Sequence, residues 1–272
     1  MKKMFFVLIV LVVSLQCMAD GGHWKDTIIN GMKYEKYYNR TTTSKYEKDE
    51  ELIIPKSNGN PAIDKIRTFL LGGSVTEDSD WNNIDNAWNL GWPVEETEQV
   101  FYGPDSIRIF FYLEDEQEDE QEEFVFHTSY LSVEPIKNVG GFLSMKMTQS
   151  DSYNTAAHPN WYVRHAAFSL KTGLRISQED IFLDSEEVRT TVDNKLGELL
   201  AEYLNDGMPS ASGISMLNDN FYIDKNELVY CYSPYEVAYY AAGAPELKLS
   251  KNWLKPYMKK DSELYKYWFG GK

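Results

Sequence analysis

Residues 226–250, NELVYCYSPYEVAYYAAGAPELKLS, constrain the fold more than any other stretch, because signals for a strand, a helix and a second strand follow one another. The run LVYCY at 228–232 is β-branched and aromatic without polar alternation, which is typical of a strand covered on both faces. Ser233 offers an N-cap hydroxyl, Pro234 suits the first helical position, and Glu236 completes a capping box. The stretch therefore predicts a central strand followed by a helix over residues 234–242.

The end of that predicted helix is also written in the sequence. Gly243 tolerates a positive φ, and Pro245 prevents the helix from continuing. The sequence ELKLS that follows predicts a short returning strand at residues 246–249.

Two further helices are predicted from apolar residues that recur at three- and four-residue steps. The shorter helix covers residues 61–71, and the longest covers residues 184–205. A capping box at residues 177–180 opens a short helical turn. Strands are predicted from β-rich runs between turn residues, at 34–46, 51–54, 106–113, 124–133, 141–148 and 161–170 and in a hairpin at 221–232.

The first 19 residues have the pattern of a cleaved secretion signal. Lys2 and Lys3 precede a short apolar run, and the sequence Cys17-Met18-Ala19 ends in small residues. We expect cleavage after Ala19 and a periplasmic or extracellular protein. Lipidation of Cys17 is the alternative, although Gln16 stands where a lipoprotein signal prefers a small residue. After cleavage Cys231 is the only cysteine left, and its place in an apolar run predicts a buried, inert thiol.

The charge of the chain restricts its partners. The formal net charge is −15 and becomes −17 when Lys2 and Lys3 are removed with the signal. Nucleic acids and anionic membrane surfaces are bound through clustered Lys and Arg, so they are excluded as expected partners. A cationic protein would be attracted instead.

The most acidic segment is EDEQEDEQEE at residues 114–123. Consecutive like charges repel and bury nothing, so we interpret it as a solvated hairpin tip or loop between the strands predicted on either side. A calcium-binding or cationic-partner loop is the alternative. The segment lacks the glycine and the alternating ligands of an EF-hand loop.

A resemblance to a known family rests on several of these motifs. The sequences SPYEVAYYAAG at 233–243 and ELKLS at 246–250, the LKTG turn at 170–173 and the capped DIF turn at 180–182 are similar to those of the RsiV-like extracellular domain. That domain type occurs in lysozyme-sensing anti-sigma factors and as the non-catalytic part of the peptidoglycan deacetylase PdaC. The resemblance covers residues 153–257 well and residues 51–148 loosely.

We therefore predict an α+β fold in which an antiparallel sheet is packed by the long helix and by the short strand-helix-strand unit. The predicted divisions are a signal peptide at 1–19, an N-terminal α+β subdomain at 20–150 with an insertion at 74–97, an RsiV-like domain at 151–258 and an aromatic tail at 259–272. The apolar residues of the tail predict that it packs back onto the domain.

Catalytic and metal-binding signals are weak in this sequence. His158 and His165 could meet Asp151 in space, but the spacing matches no established metal signature, so we predict neither a metal site nor a cofactor. His127 lies in a predicted strand. Nucleophile elbows, phosphate-binding glycine loops and paired metal-thiol motifs do not occur in the sequence.

Three function classes follow from these observations. The leading prediction is a non-catalytic, exported binding module of the cell envelope, whose ligand, by resemblance, would be lysozyme or a cell-wall component such as peptidoglycan. The first alternative is a cell-wall hydrolase with His158 at its site, and the second is a secreted protein that binds a partner through its aromatic tail. An anti-sigma role is not expected, since only Met1 to Lys3 precede the apolar segment.

Overall fold

The computed structural model describes residues 23–42, 46–70, 98–102, 108–112, 126–204 and 215–271. The predicted signal peptide with Cys17, the insertion at 74–97 and the acidic segment at 114–123 lie outside these ranges. None of the helices in the described ranges is long and apolar enough to cross a membrane.

The largest element is a six-stranded sheet. Its strands are β1 (His23–Ile29), β2 (Met32–Thr42), β3 (Tyr46–Pro55), β6 (His127–Val139), β7 (Phe142–Tyr153) and β8 (Asn160–Ser169), and they lie side by side in this order. Neighbouring strands are antiparallel except for the β3-β6 pair, which is parallel. The fold is thus α+β with a mainly antiparallel sheet, as the sequence predicted.

The N-terminal part of this sheet differs from the prediction of one extended strand at 34–46. β1 and β2 form a hairpin whose two-residue turn is Asn30-Gly31, with φ values of 51° and 80°. A turn of this kind needs positive φ at both central residues, which Asn-Gly supplies readily. β2 then pairs with β3 from Tyr34 to Thr42.

Among the described residues, the strands on either side of the acidic segment do not pair with each other, so of the two interpretations of that segment, hairpin tip or loop, the hairpin tip is wrong. β5 (Arg108–Tyr112) pairs with β4 (Glu98–Tyr102) in a separate two-stranded sheet. β6 instead lies between β3 and β7. Helix α1 (Pro61–Leu70) forms where the sequence predicted it and connects β3 to this region of the chain.

A second sheet has three strands. Its central strand β10 (Glu227–Cys231) pairs with β9 (Phe221–Ile223) on one side and with β11 (Glu246–Ser250) on the other, which confirms the predicted central strand and the returning strand. The short helix α2 (Gln178–Ile181) begins at a complete capping box between Ser177 and Asp180. The long helix α3 (Glu186–Leu204) is confirmed and buries Val192, Leu196 and Leu200.

The helix predicted over residues 234–242 is wrong. The chain makes a turn at 234–236, and helical geometry returns only as a 3-10 turn at Tyr240–Ala242. Tyr235 has a φ of 67°, which is incompatible with a right-handed helix. Only half of the capping box forms, because the Ser233 amide donates to Glu236 Oε2 at 2.8 Å while the Ser233 hydroxyl contacts Val163 on β8.

Two hydrophobic cores lie on opposite faces of β7 and β8. On one face Leu143, Met145 and Phe168 pack with α1. On the other face Phe142 and Ala167 pack with α3 and the three-stranded sheet. This arrangement follows from the period of two in a strand, which sends neighbouring residues to opposite faces.

The C-terminal residues complete the second core. Helix α4 (Lys251–Leu254) and helix α5 (Glu263–Phe269) follow β11, and both have serine N-caps. Leu264 and Trp268 of α5 are buried, and Tyr267 lies directly over Gly140 in the β6-β7 turn. The prediction that the tail packs back onto the domain is confirmed, so its aromatic side chains are largely committed to the core.

The close approach of the turn after β8 to helix α1 can be tested by substitution at Gly173. Gly173 has a φ of +77°, and a Cβ there would lie 2.4 Å from the Ala62 carbonyl oxygen of α1. We expect Gly173→Ala to lower the free energy of unfolding by about 2–5 kcal/mol, since the left-handed conformation costs about 1–2 and the overpacking about 1–3 kcal/mol. Urea denaturation followed by circular dichroism measures the change.

Gly59→Ala is the matched control, because Gly59 has nearly the same φ of +79° but a Cβ added there would have nothing within 4 Å. It should cost only the conformational part, about 1–2 kcal/mol. Equal losses in the two variants would contradict the close approach of the turn to α1.

Candidate functional site

At Val163 and His165 the outer edge of β8 is paired by side chains instead of by another strand. The amide of Val163 donates to Ser233 Oγ at 3.0 Å, and the amide of His165 donates to Asn220 Oδ1 at 2.6 Å. Asn220 Nδ2 in turn donates to the Val163 carbonyl at 3.0 Å. The Asn220 amide thus takes the place of a backbone peptide, and it joins the edge of the large sheet to the three-stranded sheet.

A cleft of about 570 Å³ lies along this edge. One wall comes from β8 and the other from the turn that replaces the predicted helix. Apart from Pro234, the lining consists of polar and aromatic side chains, namely Tyr162, Arg164, His165, Arg175, Asn218, Asp219, Asn220, Ser233, Tyr235 and Glu236. Formal charge is balanced within it, because Arg164 and Arg175 are matched by Asp219 and Glu236.

Two tyrosines of the cleft are unusually exposed. The exposed fraction is 48% for Tyr162 and 61% for Tyr235. Tyr235 has a φ of 67° within its turn, and the Glu236 carboxylate fixes the turn by accepting from the Ser233 amide. Large exposed aromatic side chains are typical of binding surfaces, since they offer much contact area with little conformational freedom to lose.

Behind Tyr235, an aromatic cluster holds His158. The His158 ring stacks on Tyr240 with 3.8 Å between ring centroids, and its Nε2 lies 3.2 Å from the Tyr235 hydroxyl. Its Nδ1 lies 3.2 Å from the Pro159 carbonyl oxygen, which also accepts from the Tyr240 hydroxyl at 2.8 Å. His158 therefore supports the tyrosines at the end of the cleft.

The three residues that the sequence suggested could meet do not come together. Asp151 contacts His127, whose Nε2 lies 3.3 Å from Asp151 Oδ1 and whose ring stacks on Tyr153. The contacts of His158 with described residues include no carboxylate that could orient it as a general base. His165 contacts Asn220 and Tyr222 instead.

A cluster that the sequence analysis missed contains the buried His165 and Cys231 and the exposed Glu246, whose ligand-type atoms all lie within 4.8 Å of one another. Burial lowers the pKa of His165 to about 4, although its bond to Asn220 opposes the shift, so the ring is neutral at physiological pH. Burial likewise raises the pKa of the Cys231 thiol. Residues Cys231 and Glu246 face each other in the predicted β10-β11 pairing, but the sequence contains no signal that brings His165 to them.

Asn220 should contribute strongly to stability because its side chain serves both sheets. We expect Asn220→Ala to lower the free energy of unfolding by about 2–4 kcal/mol, since each buried group that loses its partner costs about 1–3 kcal/mol. Asn226→Ala, in the exposed turn between β9 and β10, should change it by less than about 0.5 kcal/mol. Denaturant unfolding distinguishes the two, and a small loss for Asn220→Ala would contradict the edge pairing.

Comparison with known proteins places part of the chain in a family. Residues 179–252 match the model described as "Protein of unknown function (DUF3298)". A search of curated proteins finds no match.

Among solved structures, a DUF3298 family member from Bacteroides fragilis superposes with a TM-score of 0.58 at 12% identity, over 93% of this chain and 99% of that one. A DUF3298 family protein from Pseudomonas aeruginosa has a TM-score of 0.51 at 11% identity, over 88% of this chain and 95% of that one. At such identities the likeness concerns the fold alone. The segment that matches the DUF3298 family model, residues 179–252, runs from α2 through the three-stranded sheet.

Proposed function

We propose that this protein is a non-catalytic binding module of the bacterial cell envelope and that its ligand occupies the cleft beside β8. The observation that carries the proposal is the pair of exposed tyrosines, Tyr162 and Tyr235, on the two walls of a polar cleft. Concave sites with a few convergent polar groups are the usual places for ligand binding.

Hydrogen bonds fix the residues that form the walls of the cleft, so the cleft is ready to bind a ligand without rearranging. The turn that carries Tyr235 is fixed by Ser233, which contacts both the amide and the carbonyl of Val163, and by the contact of Asn218 Nδ2 with Glu236 Oε1 at 3.3 Å. Arg175 donates to the Asp219 carbonyl at 2.5 Å and lies 6.0 Å from the Phe69 ring centre. A ligand would therefore meet side chains that are already ordered, and little entropy would be lost on binding.

The chemistry of the cleft favours a cell-wall glycan over a cationic protein as the ligand. Its charges are balanced, so it does not select a partner by net charge, while tyrosine rings beside amide, hydroxyl and guanidinium groups suit a ligand with flat apolar faces and many hydroxyls. The RsiV-like resemblance points to the same envelope components. The charge of −17 expected for the mature chain would act on a cationic protein mainly through encounter rate, outside the cleft.

Titration calorimetry of the protein with soluble peptidoglycan fragments tests the proposal. We expect saturable binding, and Tyr162→Ala or Tyr235→Ala should weaken it at least tenfold, which corresponds to about 1.4 kcal/mol. The matched control is Tyr38→Ala, because Tyr38 has the same exposed fraction of 48% as Tyr162 but lies on β2.

Lysozyme provides the second arm of the same experiment. Binding of lysozyme that is unchanged by Tyr162→Ala, without binding of glycan, would overturn the assignment of the cleft and favour a protein ligand on another surface. Binding of neither would overturn the envelope-module proposal itself.

Export is a separate part of the proposal, and the mass of the exported protein tests it. We expect a product that begins at Asp20, because the small residue Ala19 suits signal peptidase. A product that begins at Cys17 and carries lipid would favour the lipoprotein alternative, and retention of an intact N-terminus in the cell would contradict export.

A further inference from the structure

We propose that His165, Cys231 and Glu246 form a binding site for a divalent zinc ion where β8 meets the three-stranded sheet. One imidazole nitrogen, one thiolate sulfur and one carboxylate oxygen are the donor types that zinc takes in proteins. Their atoms lie within 4.8 Å of one another, close enough for modest side-chain rotation to place all three around one ion. The proposal does not depend on the identity of the ligand in the cleft.

The backbone places these side chains together. Cys231 and Glu246 are directly opposite each other in the β10-β11 pairing, so their side chains lie on the same face of the three-stranded sheet. His165 reaches the same point from β8 of the larger sheet. Ligands on paired strands are positioned more exactly than ligands on loops, which reduces the cost of ordering them around an ion.

The residues around the three ligands hold them in suitable orientations. Asn220 Oδ1 lies 3.1 Å from His165 Nδ1 and can only accept, so the ring proton sits on Nδ1 and the Nε2 lone pair is left for a metal. The Tyr222 hydroxyl donates to Glu246 Oε2 at 3.0 Å and orients the carboxylate. Partners of this kind, bonded to the far side of a ligand, are the usual second layer of a metal site.

The arrangement also indicates which ion and what coordination to expect. His165 and Cys231 are buried, whereas Glu246 is exposed, so one side of the site is open to solvent and a water would complete four ligands. A thiolate among the ligands selects zinc over calcium or magnesium, which take oxygen ligands. His165 lines the cleft, so an ion has a route from solvent to the site.

Cobalt substitution tests the proposal, because a cobalt-thiolate bond gives a charge-transfer band in the near ultraviolet. The full chain, treated with a chelator and then titrated with Co²⁺, should develop this band at one ion per chain, and excess Zn²⁺ should remove it. Zn²⁺ should also raise the melting temperature, since an ion that binds only the folded state stabilises it.

Variants assign the band to these residues. Cys231→Ser should abolish it, and Glu246→Gln should weaken Zn²⁺ binding at least tenfold while the exposed position of Glu246 leaves the fold intact. The matched control is Glu227→Gln at the opposite end of β10, which should bind zinc as the unmodified chain does.

Two results would overturn the proposal. The first is the absence of a thiolate band in a protein that circular dichroism shows to be folded, which would leave Cys231 as a buried thiol packed beside His165. The second is a band or a zinc stabilisation that persists in both Cys231→Ser and Glu246→Gln, which would place the bound ion elsewhere on this acidic chain.

Discussion

The burial of β7 and β8 on both faces is the constraint on which the rest of the structure depends. Phe142 and Ala167 face one core, while Leu143, Met145 and Phe168 face the other. α1 closes the first core, and the three-stranded sheet with α3 and the C-terminal helices closes the second. Because successive residues of these two strands are apolar, both faces of the strands must be covered by other elements. This requirement joins the N-terminal strands to the segment that matches the DUF3298 family model.

Covering both faces still leaves the edge of β8 to be paired, and this produces the candidate site. An open edge presents unpaired amides and carbonyls. Here Asn220 and Ser233 satisfy them with side chains, so the second sheet approaches the edge without continuing it. The space left beside such a junction is the cleft. Its polar lining consists partly of the groups that pair the edge, which explains why structural and binding roles fall on neighbouring residues.

The same junction brings His165 to Cys231 and Glu246. His165 belongs to the first sheet and the other two to the second, so the cluster exists only because the sheets meet here. Asn220 takes part twice, since its oxygen accepts from the amide of His165 and contacts the ring nitrogen of the same residue. A change at this one position would disturb the edge, the cleft and the orientation of the imidazole together.

Much of the fold could be predicted from the sequence because it rests on local signals. The periodicity of α1 and α3, the capping box at Ser177 and the strand runs of β10 and β11 depend on residues close together in the chain, and the structure confirms them. The helix predicted after Ser233 failed although its signals were complete. The Ser233 hydroxyl accepts from the Val163 amide on β8 instead of capping a helix, and Tyr235 has a positive φ at the cleft wall.

The candidate site could not be predicted because it too depends on tertiary contacts instead of local signals. The sequence by itself determined an α+β chain with a central strand at 228–232, a long helix, an acidic charge and a tail that returns to the core. Only the tertiary structure decided that β5 pairs with β4, that Asp151 meets His127, and that His165 lies beside Cys231 and Glu246. The last of these contacts joins residues far apart in the chain, and it is fixed by how the two sheets pack, which no local pattern of residues encodes.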